Sequence, residues 1–144
     1  MGIFLGGTVA ANELADYEQG TWTPKLGNET TAVYSNQTGW YRKIGDTVFI
    51  YFSLSLSSKG DISGSYTKIA SLPFNGSPST QFGSGQIHAY RLGSSAHIQG
   101  IEFGGSVPSV GWLMTGGGGT TGYLNTSFVA DNTYFEGFAT YKTA

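Results

Sequence analysis

At 144 residues the chain has the size of one domain and can bury roughly two-thirds of its unfolded surface in a core. Seven basic residues against nine acidic ones give a net charge of −2 with no basic stripe, which excludes the grip on phosphates that nucleic-acid binding needs. The lack of cysteine excludes disulfides and thiolate metal sites, and fits folding in a reducing cytoplasm with use outside the cell. Charged residues make up 11% of the chain, against a usual figure of about 25%. So little charge removes the repulsion that keeps monomers apart, and a homo-oligomer is expected.

The start, MGIFLGG, has neither the basic region nor the apolar length of a signal peptide, so neither export nor membrane insertion is expected. Residues 1–19 read as a short leader, helical or extended. Within it Ala10 to Tyr17, AANELADY, has the composition of a helix of about two turns, too short to be stable alone. Leu14 and Tyr17, three residues apart, would share a helical face that packs on partner chains; alternatively the segment caps the domain that follows.

From Gly20 onward, β-branched and aromatic runs alternate with Gly, Pro, Asn and Ser clusters, the pattern of an antiparallel β-sandwich or jelly-roll-like domain over residues 20–144. The clearest strand is Thr47 to Leu56, with Val48, Ile50, Phe52, Leu54 and Leu56 on the core face and Phe49 and Tyr51 on the other. Those two rings point to a second sheet or a neighbouring subunit. Gly45-Asp46 is a turn that folds Trp40 to Ile44 back along this strand. Further strands are predicted at Tyr66 to Leu72, Gln86 to Leu92, Ala96 to Phe103, Val110 to Met114, Gly122 to Ala130 and Thr133 to Tyr141. Pro73, Pro78 and Pro108 fall between them. Asp131-Asn132 is read as the turn of a closing hairpin between the last two. The Asn-x-Ser/Thr triplets at Asn28, Asn36, Asn75 and Asn125 are read as turn residues, since glycosylation requires secretion.

The tract Gly116 to Gly119 lacks the Gly-Lys-Ser/Thr of a phosphate loop and reads as a loop beside an aromatic rim of Trp112 and Tyr123. Both histidines lie in QIHAYRLGSSAHIQG. A two-residue turn at Gly93-Ser94 would pair Tyr90 with His97 and His88 with Gln99, putting all four on one open face. Imidazoles, a phenol and an amide in a row suit a sugar, by stacking and hydrogen bonding; the plain alternative is an ordinary outer sheet face. The same register places Glu102 on the opposite face, which argues against a two-histidine metal site. Neither a metal nor a cofactor is expected. Asp61, Glu102, Asp131 and Glu136 are scattered, with no Ser-His-Asp or GxSxG pattern, so no enzyme is expected. Trp22, Trp40, Tyr41, Tyr90, Trp112 and Tyr123 are the candidates for exposed rings, Trp22 being the one best read as a structural anchor.

Two stretches carry a resemblance. DYEQGTWTP, Asp16 to Pro24, and YSNQTGWYRKIGDTVFIYF, Tyr34 to Phe52, resemble the opening of the C-terminal domains of bacteriophage tail fibres and tailspikes, with Gly39, Tyr41, Lys43, Ile44 and Gly45 in the positions of a GxYxKIG hairpin. Trp40 departs from the small or charged residue expected after the hairpin glycine. The leader LGGTVAANELADYE, Leu5 to Glu18, matches the segment that follows a fibre shaft. The resemblance ends near Leu56. It implies a virion tail protein made in the host cytoplasm, a homotrimer attached to the rest of a fibre or spike, and a domain that touches a host surface polysaccharide without catalysing its cleavage. On that reading the carbohydrate-binding candidates are His88, Tyr90, His97, Gln99, Trp112, Tyr123 and Trp40, and the oligomer-interface candidates are Leu14, Tyr17, Phe49 and Tyr51. The alternative is a trimerisation and folding module with no ligand.

Overall fold

The computed structural model describes residues 3–4, 13–14, 16–27, 29–77, 81–93, 97–104, 111–117 and 120–143. Its strands are β1 (Ile3–Phe4), β2 (Glu13–Leu14), β3 (Tyr17–Trp22), β4 (Lys25–Leu26), β5 (Val33–Ile44), β6 (Thr47–Ser58), β7 (Lys68–Ala70), β8 (Gln81–Tyr90), β9 (Ile98–Gly104), β10 (Gly111–Gly117), β11 (Thr120–Tyr123) and β12 (Tyr134–Lys142). The fold is all-β and antiparallel, as the alternation in the sequence predicts.

Ten strands form one hydrogen-bonded sheet in the order β3-β5-β6-β12-β8-β9-β10-β7-β4, with β11 paired to β10. Its two end strands, β3 and β4, are separated in the chain only by Thr23 and Pro24. The sheet must therefore curl until its ends nearly meet, which is also how a twisted sheet of this width avoids exposing both faces. Side chains complete the closure: Gln37 Nε2 donates to the Pro24 carbonyl at 2.8 Å, and the Leu26 amide donates to Tyr34 Oη at 2.9 Å.

β5 and β6 form the hairpin expected at Gly45-Asp46, where Gly45 takes φ +59. Val48, Ile50, Phe52, Leu54 and Leu56 all face the enclosed core, with Phe135, Ala139 and Tyr141 of β12, Ile101 and Phe103 of β9, and Leu113 of β10. Phe103 and Tyr141 stack at 5.0 Å between ring centres, and the buried Tyr141 hydroxyl donates to the Phe74 carbonyl at 3.0 Å.

Three expectations fail. The helix over Ala10 to Tyr17 does not form: Glu13–Leu14 pairs with Ile3–Phe4 in a separate two-stranded sheet, and Tyr17 already begins β3 opposite Ile44, while Ala10, Ala11, Asn12 and Ala15 lie outside the described residues. Leu14 and Tyr17 thus share no helical face. The strand predicted at Gly122 to Ala130 stops at Tyr123, because Asn125 caps a single 3-10 turn at Thr126–Phe128 by accepting from the Ser127 amide at 2.9 Å. Asp131-Asn132 is a turn, with Asn132 at φ +64, but no hairpin closes on β11. Instead β12 enters the middle of the sheet between β6 and β8, where its alternate side chains are covered by two neighbours.

A carboxylate clamp holds the loop before β5 to the loop after β6. Asp61 accepts from the Thr30 and Thr31 amides at 2.8 Å each and from the Thr30 hydroxyl, and these donors hold its carboxyl well below the usual carboxylate range. The folded pKa is depressed, so the stabilisation is present at neutral pH and is lost as pH falls below about 4 toward the folded value. Asp61→Asn should lower Tm at pH 7 and flatten the acid limb of a Tm-against-pH curve; an unchanged acid limb would show that the clamp contributes nothing.

Candidate functional site

The two family-like stretches turn out to be the two strands of one pair, β3 and β5. Gly20 lies opposite Tyr41 and Trp22 opposite Gly39. A Cβ on Gly39 would sit 2.4 Å from Trp22 Nε1, and one on Gly20 would sit 2.8 Å from the Tyr41 hydroxyl oxygen. Each glycine is thus covered by the ring of the facing strand, the arrangement in which an aromatic side chain fills the space a strand glycine leaves. Trp22 is buried, edge-on to Phe52, as expected of an anchor. Tyr41, expected among the exposed rings, is half-buried: it packs edge-on against Phe74, and its hydroxyl donates to Glu18 at 2.6 Å. Lys43 pairs with Asp16. These contacts hold β3 and β5 to each other and to the core.

The outer face of the sheet is where side chains remain available. The ladder aligns them in rows across β5, β6, β12 and β8: Trp40 with Tyr51, Phe138 and Gln86, and one row further Thr38 with Ser53, Glu136 and His88. Beyond that, Asn36, Ser55, Tyr134 and Tyr90 align.

The last two rows form a polar aromatic cluster. The His88 and Tyr90 rings lie 4.1 Å apart and the Tyr90 and Tyr134 rings 5.7 Å apart. Tyr134 donates to Glu136 Oε2 at 2.6 Å, and Glu136 Oε1 lies 3.8 Å from His88 Nδ1. The hydrogen bond to Glu136 raises the Tyr134 pKa, so this phenol stays a donor. Ser53, which donates to Tyr134 at 3.3 Å, also accepts from Asn36 Nδ2 at 2.9 Å. Beside the cluster is a groove of about 430 Å³ lined by Ser35, Ser55, Tyr90, Arg91, Asn132 and Tyr134.

His97 and Gln99 do not join this cluster through the predicted pairing. The β8–β9 ladder pairs Ser84 with Glu102 and Gly85 with Ile101, one residue out of the predicted register, and it ends before His88. β8 itself ends at Tyr90, Arg91 takes φ +57, and the Gly93 amide donates to the Phe128 carbonyl; the rest of the predicted turn, residues 94–96, lies outside the described residues. A shift of one residue moves a side chain to the other face. Glu102 therefore shares the outer face with His88, the reverse of the prediction. Among the described residues no three His, Asp or Glu side chains gather as a metal would require.

Trp112 and Tyr123 make a second cluster, their rings 5.5 Å apart. Tyr66 lies 5.3 Å from Tyr123, and Lys68 Nζ lies 4.8 Å from the Trp112 ring centre. Two residues of the glycine tract beside them, Gly116 and Gly117, are paired with Thr121 and Thr120 in the β10–β11 hairpin, and the other two lie outside the described residues. Trp40 belongs to a third, apolar group. It stacks on Tyr51 at 5.0 Å, with Phe49 and Phe138 about half exposed nearby, and a groove of about 570 Å³ runs between this row and β3. The seven candidate sugar-binding residues are thus spread over separate places. Tyr134, Glu136 and Phe138 are not among those candidates; their signal is the outward period-two set of β12, readable only once β12 is known to be central, whereas Arg91 and Asn132 lie in the loops just after β8 and just before β12 and carry no periodic signal.

No known protein family matches the sequence, and no curated protein does. The structure is similar to part of the Dettilon tailspike protein, known from its crystal structure, with a TM-score of 0.71 and 20% sequence identity. The likeness covers 88% of this chain and 24% of that one, so the chain spans about a quarter of the tailspike's length. At that identity the likeness is one of fold: a curled antiparallel sheet found within a tailspike.

Proposed function

We propose that the chain is a domain of a bacteriophage tail fibre or tailspike which binds a polysaccharide of the host surface and associates as a homotrimer, with no catalysis of its own. The observation that carries the binding reading is the Tyr90, Tyr134 and His88 cluster beside an open groove. Tyrosine rings offer faces for the C–H side of a sugar, and the surrounding serines and Asn132 offer neutral hydrogen bonds to its hydroxyls. Trp112 and Tyr123 would provide a second contact, with His97 and Gln99, both exposed, as further candidates. Contacts of this kind are weak singly, and three linked copies raise avidity through effective concentration. The fold shared with a tailspike and the absence of cysteine support a virion protein assembled in the host cytoplasm, with residues 1–19 joining it to the rest of the fibre.

Tyr90→Ala should weaken binding of host polysaccharide fragments by about tenfold in a titration. Tyr90 is 51% exposed, so Tm should hold. Undiminished binding would remove the site from this face. A parallel incubation with host capsule should release no reducing ends.

A second reading, a trimerisation and folding module without a ligand, is favoured by the apolar group of Trp40, Tyr51, Phe49 and Phe138. Exposed aromatic groups of this kind mark surfaces that another chain covers. Trp40 would then belong to the interface with Phe49, Tyr51, Leu14 and Tyr17.

A further inference from the structure

We infer that the groove beside Tyr90 selects a carboxylate-bearing sugar, with the Arg91 guanidinium as its anion contact. The inference rests on reading that face as glycan-binding and names the class of sugar it takes. Among the described residues, two of the four non-glycine positions with positive φ, Arg91 at +57 and Asn132 at +64, line this one groove. Asparagine tolerates that conformation; arginine, with a full Cβ and a long side chain, is disfavoured there. The strained backbone is held from behind by the buried Thr133, whose hydroxyl donates to the Arg91 carbonyl at 2.8 Å and accepts from the Ala130 amide at 2.9 Å. Strain that surrounding structure maintains is a mark of functional sites.

Arg91 is exposed, and the ion pairs among the described residues involve Lys43, Lys142 and His88, leaving its fork without a carboxylate partner. Glu136 on the same face already accepts from Tyr134 and faces His88. A planar guanidinium matches a carboxylate through two parallel hydrogen bonds, so a uronate ring resting on Tyr90 and Tyr134 could present its acid to Arg91 and its hydroxyls to Asn132 and Ser55.

The test is an NMR titration of the whole chain with methyl glucuronide and, separately, methyl glucoside. Amides around Arg91 and Asn132 should respond to the glucuronide at about a tenth of the glucoside concentration, and added salt should narrow the gap. Arg91→Gly suits a positive φ, so it should fold with unchanged Tm and bring the glucuronide down to the glucoside's affinity. Equal response to both sugars would overturn the acidic class while leaving a glycan site. No response to either would overturn both readings, and a preference that survives in Arg91→Gly would place the anion elsewhere.

Discussion

Gly39→Ala should destabilise the domain by about 3 kcal/mol, near the upper end for overpacking a core, and lower Tm by about 10 °C. The added methyl would lie 2.4 Å from Trp22 Nε1 and 2.7 Å from two other indole atoms. The ring has no room to retreat, since it is 9% exposed and set edge-on to Phe52. Trp22→Ala alone should cost about 3–5 kcal/mol through the cavity it leaves. In the double variant the alanine at position 39 should cost little, because the clashing ring is gone. Urea unfolding of the four proteins measures this coupling, and simple additivity would show that the ring and the glycine are independent. Gly20→Ala should be milder, because Tyr41 is half-buried and can tilt outward. The pairing gives a physical reason for GTWTP and GxYxKIG to occur together: each supplies the ring that covers the other's glycine.

Phe138→Ser should convert the proposed trimer to monomers in light scattering while leaving the fold intact. Phe138 is 58% exposed in the single chain and faces Tyr51 across the β6–β12 ladder. Losing it from a subunit interface should cost about 2 kcal/mol per copy, enough for three copies to dissociate at micromolar concentration. Tyr51→Ser should act in the same direction by also removing the stack on Trp40. Tyr90→Ala, on the polar side of the face, should leave the mass unchanged while weakening sugar binding. A wild-type protein already monomeric would sink the interface. A trimer lost with Tyr90→Ala and kept with Phe138→Ser would mean that the two halves of the face have exchanged roles.

Much of this architecture could be read locally. The strict alternation from Val48 to Leu56 identified both faces of β6, and Gly45-Asp46 identified its hairpin, because period and turn chemistry act over a few residues. His88 and Tyr90 were recognisable as outward-facing for the same reason. The leader misled, since the helical composition of AANELADY is too weak over so short a stretch to resist pairing of Glu13–Leu14 with another strand.

The sequence by itself determined that this chain is an antiparallel β protein, which residues its strands bury, and that it carries an excess of aromatic groups with few charges to keep copies apart. The tertiary structure alone decided that β12 lies between β6 and β8, bringing Tyr134 and Glu136 to Tyr90 and His88, and that β8 meets β9 one residue away from the predicted register. The reason is that backbone hydrogen bonds are the same for every residue type. Strand order and register are therefore chosen by which side chains can be buried together across the whole sheet, and that choice is not written in any local stretch.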